Sequence, residues 1–283
     1  MELQEVYGQQ TLSEKLKPDG LVKKIVFYDC TDSTNMQAKA AAEGGAPNGT
    51  LIVADKQTAG RGRRGRQWDS PAGKNIYFSL LIRPDFPPEK ASVLTLVMAL
   101  AVASGIECAV KDVGNGKTKE AFGECNSGIK WPNDIVMNGK KICGILTEMS
   151  LKQNAPYYVV IGVGINVHEQ TFAPELVDKA TTLEVECGRQ ISRSTLIASI
   201  IEVFEEYYSV FGKEESLVTL REQYNDLLVN RNRSVCVLDP NGEYRGTATG
   251  ITETGELCVE LADGSETRVY AGEVSVRGIY GYV

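Results

Sequence analysis

Leu51-Ile52-Val53-Ala54, then Gly60-Arg61-Gly62-Arg63-Arg64-Gly65-Arg66, then the alternating Ile76, Phe78, Leu80 and Ile82, read as a strand, a glycine–arginine loop and a second strand. The loop packs four guanidinium groups and three glycines into seven residues of a chain whose formal net charge is −7. An acidic protein that concentrates cations in this way is built to hold an anion. Glycine lets backbone N–H groups approach a ligand closely, and arginine offers a rigid fork of donors matched to carboxylate or phosphate oxygens. A basic run can also be an import signal, a nucleic-acid patch or a solvated surface. The flanking strands set this run inside a fold, and a sequence pI near 5.1 argues against nucleic acid as the main partner.

Upstream, Val22 to Tyr28 reads as a strand. It runs into Asp29-Cys30-Thr31-Asp32-Ser33-Thr34-Asn35, rich in helix-capping residues, and the Ala-rich helix Met36 to Glu43 is stopped by Gly44-Gly45 and Pro47. Ser33, Thr34 and Asn35 therefore sit at a helix N-terminus, placed either for polar recognition or for plain capping. Residues 1–20 lack periodicity and form a short lead-in. Downstream, Pro88 opens a long helix whose Val93, Leu96, Val97 and Leu100 follow core spacing. Residues 111–127 read as an exposed polar loop. Ile129-Lys130-Trp131 begins a strand region, with Pro132 holding the Trp131 backbone extended, and Ile135 to Glu148 is a hairpin turning at Asn138-Gly139. Tyr157 to Ile161 leads into Gly162-Val163-Gly164-Ile165-Asn166, which does not open a helix and so is no dinucleotide fingerprint. The glycines are expected to let a ligand approach the backbone. Two helices follow, near 193–211 and 214–228.

Past Asn230 the pattern changes to short strands punctuated by Asn241-Gly242, Gly255 and Asp263-Gly264. The expected class is α/β (α+β): a mixed-sheet domain with helices over 1–229, and a small β-barrel over 230–283.

The longest apolar run, Val93 to Ala103, is short for a bilayer, and Met1-Glu2-Leu3-Gln4 carries no secretory pattern, so a cytoplasmic protein without a membrane partner is expected. Seven scattered cysteines, Cys30, Cys108, Cys125, Cys143, Cys187, Cys236 and Cys258, read as reduced thiols. His168 is the only histidine, which argues against a zinc site or a histidine-based triad and reads as structural. The chemistry must come from Lys, Arg, carboxylates and backbone groups.

Gly60-Arg61-Gly62-Arg63-Arg64-Gly65, Lys130-Trp131-Pro132-Asn133-Asp134, Lys141-Ile142-Cys143-Gly144-Ile145-Leu146 and Gly162-Val163-Gly164-Ile165-Asn166, in this order and spacing, resemble the biotin protein ligases. Ala271-Gly272-Glu273-Val274-Ser275-Val276-Arg277 resembles the close of that family's SH3-like C-terminal barrel. The resemblance implies an enzyme that activates biotin with ATP, as biotinyl-5′-AMP, and passes it to a lysine of a biotin carboxyl carrier protein. Two anions about 4 Å apart repel by several kcal/mol at an effective dielectric near 20, so cations must stand around them, and the mixed anhydride must be kept from water.

By resemblance, Ser33, Thr34, Asn35, Gln57, Arg61, Gly62 and Arg63 hold biotin, and Lys141, with Arg61 and Arg63, is catalytic and reaches the reacting oxygens. Trp68 stacks on adenine, Lys130, Asn133 and Asn166 serve phosphate or ribose together with Arg61 and Arg63, and Asp134 is the carboxylate for Mg²⁺. Packing is the expected role of Trp131. Some members carry an N-terminal DNA-binding helix-turn-helix; about twenty residues precede the first strand here, so DNA binding and repression are not expected. Monomer and homodimer stay open. The rivals are a lipoate ligase, which shares the adenylation logic, and a non-enzymatic nucleic-acid binder using Arg61 to Arg66.

Overall fold

The computed structural model describes residues 7–112, 126–151, 157–239, 242–271 and 275–278. After a short helix α1 (Gln9–Lys15), strands β1 (Lys24–Tyr28), β2 (Thr50–Ala54) and β3 (Ile76–Ile82) are joined by helix α2 (Thr34–Glu43) and by the glycine–arginine loop. A 3₁₀ turn from Pro88 leads into α3 (Leu94–Asp112). Then come β4 (Gly128–Lys130), β5 (Asp134–Met137), β6 (Lys140–Ser150) and β7 (Tyr158–Ile165), followed by α4 (Leu183–Cys187), α5 (Arg193–Glu214) and α6 (Arg221–Leu227). The seven strands form one mixed sheet in the order β1-β2-β3-β7-β6-β5-β4, in which β1 and β2 are parallel and the other neighbours antiparallel. At the β5–β6 turn, Asn138 and Gly139 take φ of 48° and 76°, the left-handed pair that a tight hairpin needs.

Side-chain alternation divides the sheet into two faces. Leu51, Val53, Ile76, Phe78, Leu80 and Ile82 point to the face covered by α3 and α5, in the main core. Ile52, Leu81, Tyr158 and Val160 point the other way and pack on Ala38 and Ala42 of α2. Both faces of β2 and β3 are thus buried, which is why these strands read as continuous apolar runs. Pro88–Val110 is long and apolar enough by length and composition to cross a bilayer, a stretch longer than the Val93–Ala103 run suggests. In the fold it is a core helix: 72% of its apolar window is buried within the protein.

Strands β8 (Arg233–Asp239), β9 (Gly242–Ile251), β10 (Leu257–Glu260), β11 (Glu266–Val269) and β12 (Ser275–Gly278) form a second antiparallel sheet in the order β11-β10-β9-β8-β12. This is the five-stranded antiparallel sheet of the small C-terminal domain; no β11–β12 pairing occurs among the described residues. Trp131 anchors this sheet to the rest: it is buried, and its Nε1–H donates to the Gly255 carbonyl at 3.0 Å. The Trp131–Pro132 peptide is cis.

Most of the loop expected over 111–127, Asn241 of the expected turn and residues 272–274 of the closing motif lie outside the described residues, as does Cys125. Among the described residues five cysteines are free thiols, whereas Cys187 is disulfide-bonded, which departs from the expectation of reduced thiols.

Candidate active site

The site lies on the α2 face of the central strands, and its shape follows from the register there. Gly144 pairs with Gly164 and Leu146 with Gly162 across β6 and β7, while Ser79 stands opposite Gly162 on β3. Where the ends of this face carry Tyr158 and Leu81, the middle carries glycine and serine. The missing side chains leave an open cleft of about 450 Å³.

One end of the cleft is made by the start of α2. Ser33 takes the N-cap position, but its side chain makes no capping bond. Thr34 donates from its backbone N–H to Gln57 Oε1 at 2.9 Å, and Gln57 Nε2 donates to Ser70 Oγ at 2.9 Å. Ser79 Oγ lies 2.8 Å from Thr34 Oγ1 and 2.6 Å from Asn35 Oδ1. Asn35 Nδ2 donates to Glu148 Oε2 at 2.8 Å and to the Leu146 carbonyl at 3.2 Å. Asn35 lies so close to β7 that a Cβ at Gly162 would stand 1.9 Å from its Oδ1. Gly162 thus lines the cleft and also makes room for this side chain.

The glycine–arginine loop forms a flap over residues 57–72, closed by its own ladder. Gln57 N–H bonds the Ser70 carbonyl, Trp68 N–H the Gly60 carbonyl and Gly62 N–H the Arg66 carbonyl, at 3.2, 3.0 and 2.8 Å. The strands of the flap cross so tightly at Gly60 that a Cβ would lie 2.3 Å from the Trp68 carbonyl oxygen. Arg61 reaches over the cleft: Nη1 lies 3.1 Å from Met36 Sδ and Nη2 3.7 Å from Glu148 Oε1. Arg63 Nη1 donates to Asn133 Oδ1 at 2.7 Å. Burial pulls the Arg63 guanidinium below its ordinary value, with Asp134 opposing that shift. The Trp68 indole lies on the floor made by Gly144 and Gly164, where added Cβ atoms would come within 2.9 and 2.6 Å of it. Its Nε1–H is buried without a partner, and Lys141 Nζ stands 5.2 Å from a ring centroid.

Lys141 sits beside Trp68 at the other end. Its Nζ is 2.6 Å from Asp134 Oδ1 on the neighbouring strand, and both side chains are largely buried. The loop 166–182 braces its backbone: Lys141 N–H bonds the Lys179 carbonyl and Thr181 N–H bonds the Lys141 carbonyl.

Ser33, Thr34, Asn35, Gln57, Arg61, Gly62, Arg63, Trp68, Asn133 and Lys141 therefore share one cleft, as the motifs implied. Three other residues stand outside its lining. Asp134, read as the Mg²⁺ carboxylate, sits behind Lys141 with Oδ1 paired to its ammonium. Asn166, read as a phosphate or ribose contact, turns away: its Nδ2 donates to the Thr181 carbonyl at 3.2 Å, bracing the 166–182 loop. Lys130 is buried on β4. His168 Nδ1 lies 3.5 Å from Glu184 Oε2 outside the cleft.

Sequence reading missed Glu148. Burial opposes its ionisation, but hydrogen bonds from Lys39 and Asn35 and the Lys39 and Arg61 charges hold its carboxyl below the usual range. Strand parity carried the one available signal, since Gly144, Leu146 and Glu148 alternate along β6 toward α2.

The sequence profile of the Biotin/lipoate A/B protein ligase family matches residues 27–166, and that of the Biotin protein ligase C terminal domain matches 232–277. The bifunctional ligase/repressor BirA of Bacillus subtilis is 39% identical over 92% of this chain and 76% of its own length. The biotin–[acetyl-CoA-carboxylase] ligase of Mycobacterium tuberculosis is 33% identical over 86% of this chain and 85% of its own. The biotin protein ligase from Aquifex aeolicus, solved in complex with biotin and ATP, superposes with a TM-score of 0.74 at 29% identity, covering 90% of this chain and 99% of that one. With its four motifs gathered on one trough and matched relatives along nearly its whole length, the chain belongs to the biotin protein ligases of the biotin/lipoate A/B protein ligase family.

Proposed function

We propose that this chain joins biotin to ATP, releasing pyrophosphate and forming biotinyl-5′-AMP, and then transfers the biotinyl group to a lysine of a biotin carboxyl carrier protein. The observation that carries the reading is a single cleft with uncharged hydrogen-bonding groups at one end (Ser33, Thr34, Gln57) and three cations, Arg61, Arg63 and Lys141, in its lining. The first end suits a ureido ring. The cations suit a carboxylate meeting a phosphate.

In the first step a biotin carboxylate oxygen bonds the α-phosphorus of ATP as the bond to the pyrophosphate oxygen breaks. Lys141 and Arg63 offset the repulsion between the two anions. Asp134 Oδ1, 2.6 Å away, fixes where the Lys141 Nζ stands. In the second step the neutral amine of the acceptor lysine bonds the acyl carbon, AMP leaves with the electron pair of the broken acyl–oxygen bond, and the amine's proton goes to solvent or base. The flap, spanning Gln57 to Ser70 with its ladder closed, screens the anhydride from water between the steps.

The donor set does not form a metal site of the protein's own. Among the described residues no cluster of three metal-ligating side chains occurs, and the Asp134 oxygen is committed to Lys141. Mg²⁺ accordingly arrives as part of the substrate, on the ATP phosphates.

Exchange of labelled pyrophosphate into ATP tests the activity. The expected result is exchange that needs biotin and is not supported by lipoate. Lipoate-dependent exchange would reassign the substrate, and salt-sensitive RNA or DNA binding without any exchange would overturn the enzyme reading.

A further inference from the structure

Asp55 follows β2 and Gly73 lies just past the far end of the flap, so the two residues bracket it in the chain. In space they meet. The Gly73 N–H lies 3.1 Å from each Asp55 carboxylate oxygen. Arg193 closes the junction from behind, with Nη1 2.7 Å from Asp55 Oδ1 and 3.3 Å from the Asn75 carbonyl oxygen. Its guanidinium carbon also stands 3.8 Å from the Tyr7 ring centroid. Asn75, completely buried, carries the connection onward: its Oδ1 accepts from the Val167 N–H and its Nδ2 donates to Gln170 Oε1, both at 3.1 Å. One guanidinium thus joins the root of the flap to the root of the 166–182 loop. The far end of that loop is the segment bonded to the Lys141 backbone.

Helix formation does not ask for arginine at this position. Arg193 is the first residue of α5, where the helix dipole disfavours a cation, and Ser192 already supplies the cap through its side chain. The charge is also only 6% exposed, which burdens folding unless it is paired and hydrogen-bonded. Its partners Asp55 and Asn75 tie it to the root of the flap and, through Asn75, to the loop whose far end is bonded to the Lys141 backbone.

We propose that Arg193 is a positioning residue for the ligase reaction: through Asp55 and Asn75 it fixes the roots of the flap and of the Lys141-side loop together, so that both close on one intermediate. The inference rests on the biotinyl-adenylate reading above. It differs from a purely stabilising role because it makes retention of the intermediate depend on a residue that lines no part of the cleft.

Arg193→Met keeps an unbranched apolar stem and removes the fork, together with its stacking on Tyr7. Ile200→Val, in the core of the same helix, serves as a control that lowers stability without touching the junction. Each protein is loaded with biotin and ATP, and two rates are followed well below its melting temperature: release of the adenylate, and trypsin cleavage at the four flap arginines. Arg193→Met is expected to release the adenylate about tenfold faster, the effect of one lost charge-assisted hydrogen bond, with the loaded flap cut correspondingly faster. Its biotin KM rises while kcat for pyrophosphate exchange holds. Ile200→Val retains the intermediate like the parent. Asp55→Asn, which keeps an acceptor for Gly73, moves both rates in the same direction, and the double variant adds little to Arg193→Met. Release and cleavage unchanged in both Arg193→Met and Asp55→Asn, with only the melting temperature lowered, would overturn the inference. A parent protein that forms no adenylate from biotin and ATP would instead remove the functional reading on which it stands.

Discussion

Lys141 shows how one residue can be bound into structure and still serve chemistry. Its ammonium is 2.6 Å from Asp134 Oδ1, its stem lies beside Trp68, and its backbone is bonded on the loop side to Lys179 and Thr181. A lysine fixed at so many points presents its charge with little freedom left to lose. Lys141→Met should therefore cut adenylate formation by about 10²–10³-fold, the scale for deleting one preorganised cation or donor at a site of developing charge. Lys141→Arg should not restore it, because a planar fork does not fit the space of a compact ammonium beside Asp134. Initial rates of pyrophosphate exchange per folded molecule check both. Rates near the parent's in Lys141→Met, with a lowered melting temperature, would mean that the pair with Asp134 is structural only.

Among the elements, β6 and β7 build the trough by leaving side chains out, and two glycines in different surroundings separate the causes. At Gly162 an added Cβ would stand 1.9 Å from Asn35 Oδ1. Gly162→Ala should lose about 1–3 kcal/mol of stability by overpacking. It should also weaken biotin binding, since Asn35 is tied to Ser79 and Glu148 and cannot move alone. Gly212 lies exposed inside α5 with nothing within 4 Å of an added Cβ. Gly212→Ala should stabilise by about 0.5–1 kcal/mol through helix entropy and leave binding unchanged. Denaturant unfolding with biotin titration measures all four outcomes.

Glu148 links three of these elements: β6, α2 through Lys39 and Asn35, and the flap through Arg61. Its carboxyl is held below its ordinary value of 4.5, so the unfolded chain binds the proton more readily than the folded one. The stability it contributes is therefore complete above pH 4.5 and is lost as pH falls through the lower folded value. Glu148→Gln should lower stability at neutral pH and flatten this acid limb. Melting temperatures of both proteins between pH 3 and 7 follow the difference, and parallel curves would show that the carboxylate is not the group responsible.

Across the whole molecule, what was legible in the sequence was whatever local chemistry or periodicity determines. The strands around the flap, the Asn138-Gly139 hairpin and the helix beginning at Pro88 follow from alternation, turn residues and apolar spacing. The cleft residues announced themselves as unusual side chains in short motifs. What stayed hidden depends on contacts between distant segments: Arg193 lies 138 residues from Asp55, and Glu148 lies 113 from Asn35. No window of sequence contains both partners, and each residue alone reads as an ordinary surface charge. Asn166 shows the opposite case. It sits inside a legible motif, but the end of β7 turns its amide toward Thr181 to brace a loop that the sequence did not resolve.

The same distinction bears on the two sheets, which composition separates near Asn230. The core does not follow that boundary. A continuous cluster runs from Leu96, Trp131 and Leu217 into Val235, Leu257 and Val259. Hydrogen bonds cross as well: Trp131 Nε1 to the Gly255 carbonyl at 3.0 Å, and the Ile251 N–H to Asn225 Oδ1 at 2.9 Å. Both are buried, so neither carbonyl can turn to water if its partner is lost. One cooperative unfolding transition is therefore expected for the whole chain, with calorimetric and van't Hoff enthalpies equal. Trp131→Phe keeps most of the apolar volume but leaves the Gly255 carbonyl unpaired, which should cost about 1–3 kcal/mol. If the junction is shared core, that variant lowers the single transition as a unit, as read by calorimetry together with near-ultraviolet circular dichroism. Two separate transitions, only the later-sheet one shifted by the substitution, would show instead that the second sheet folds as an independent body and that Trp131 merely rests against it.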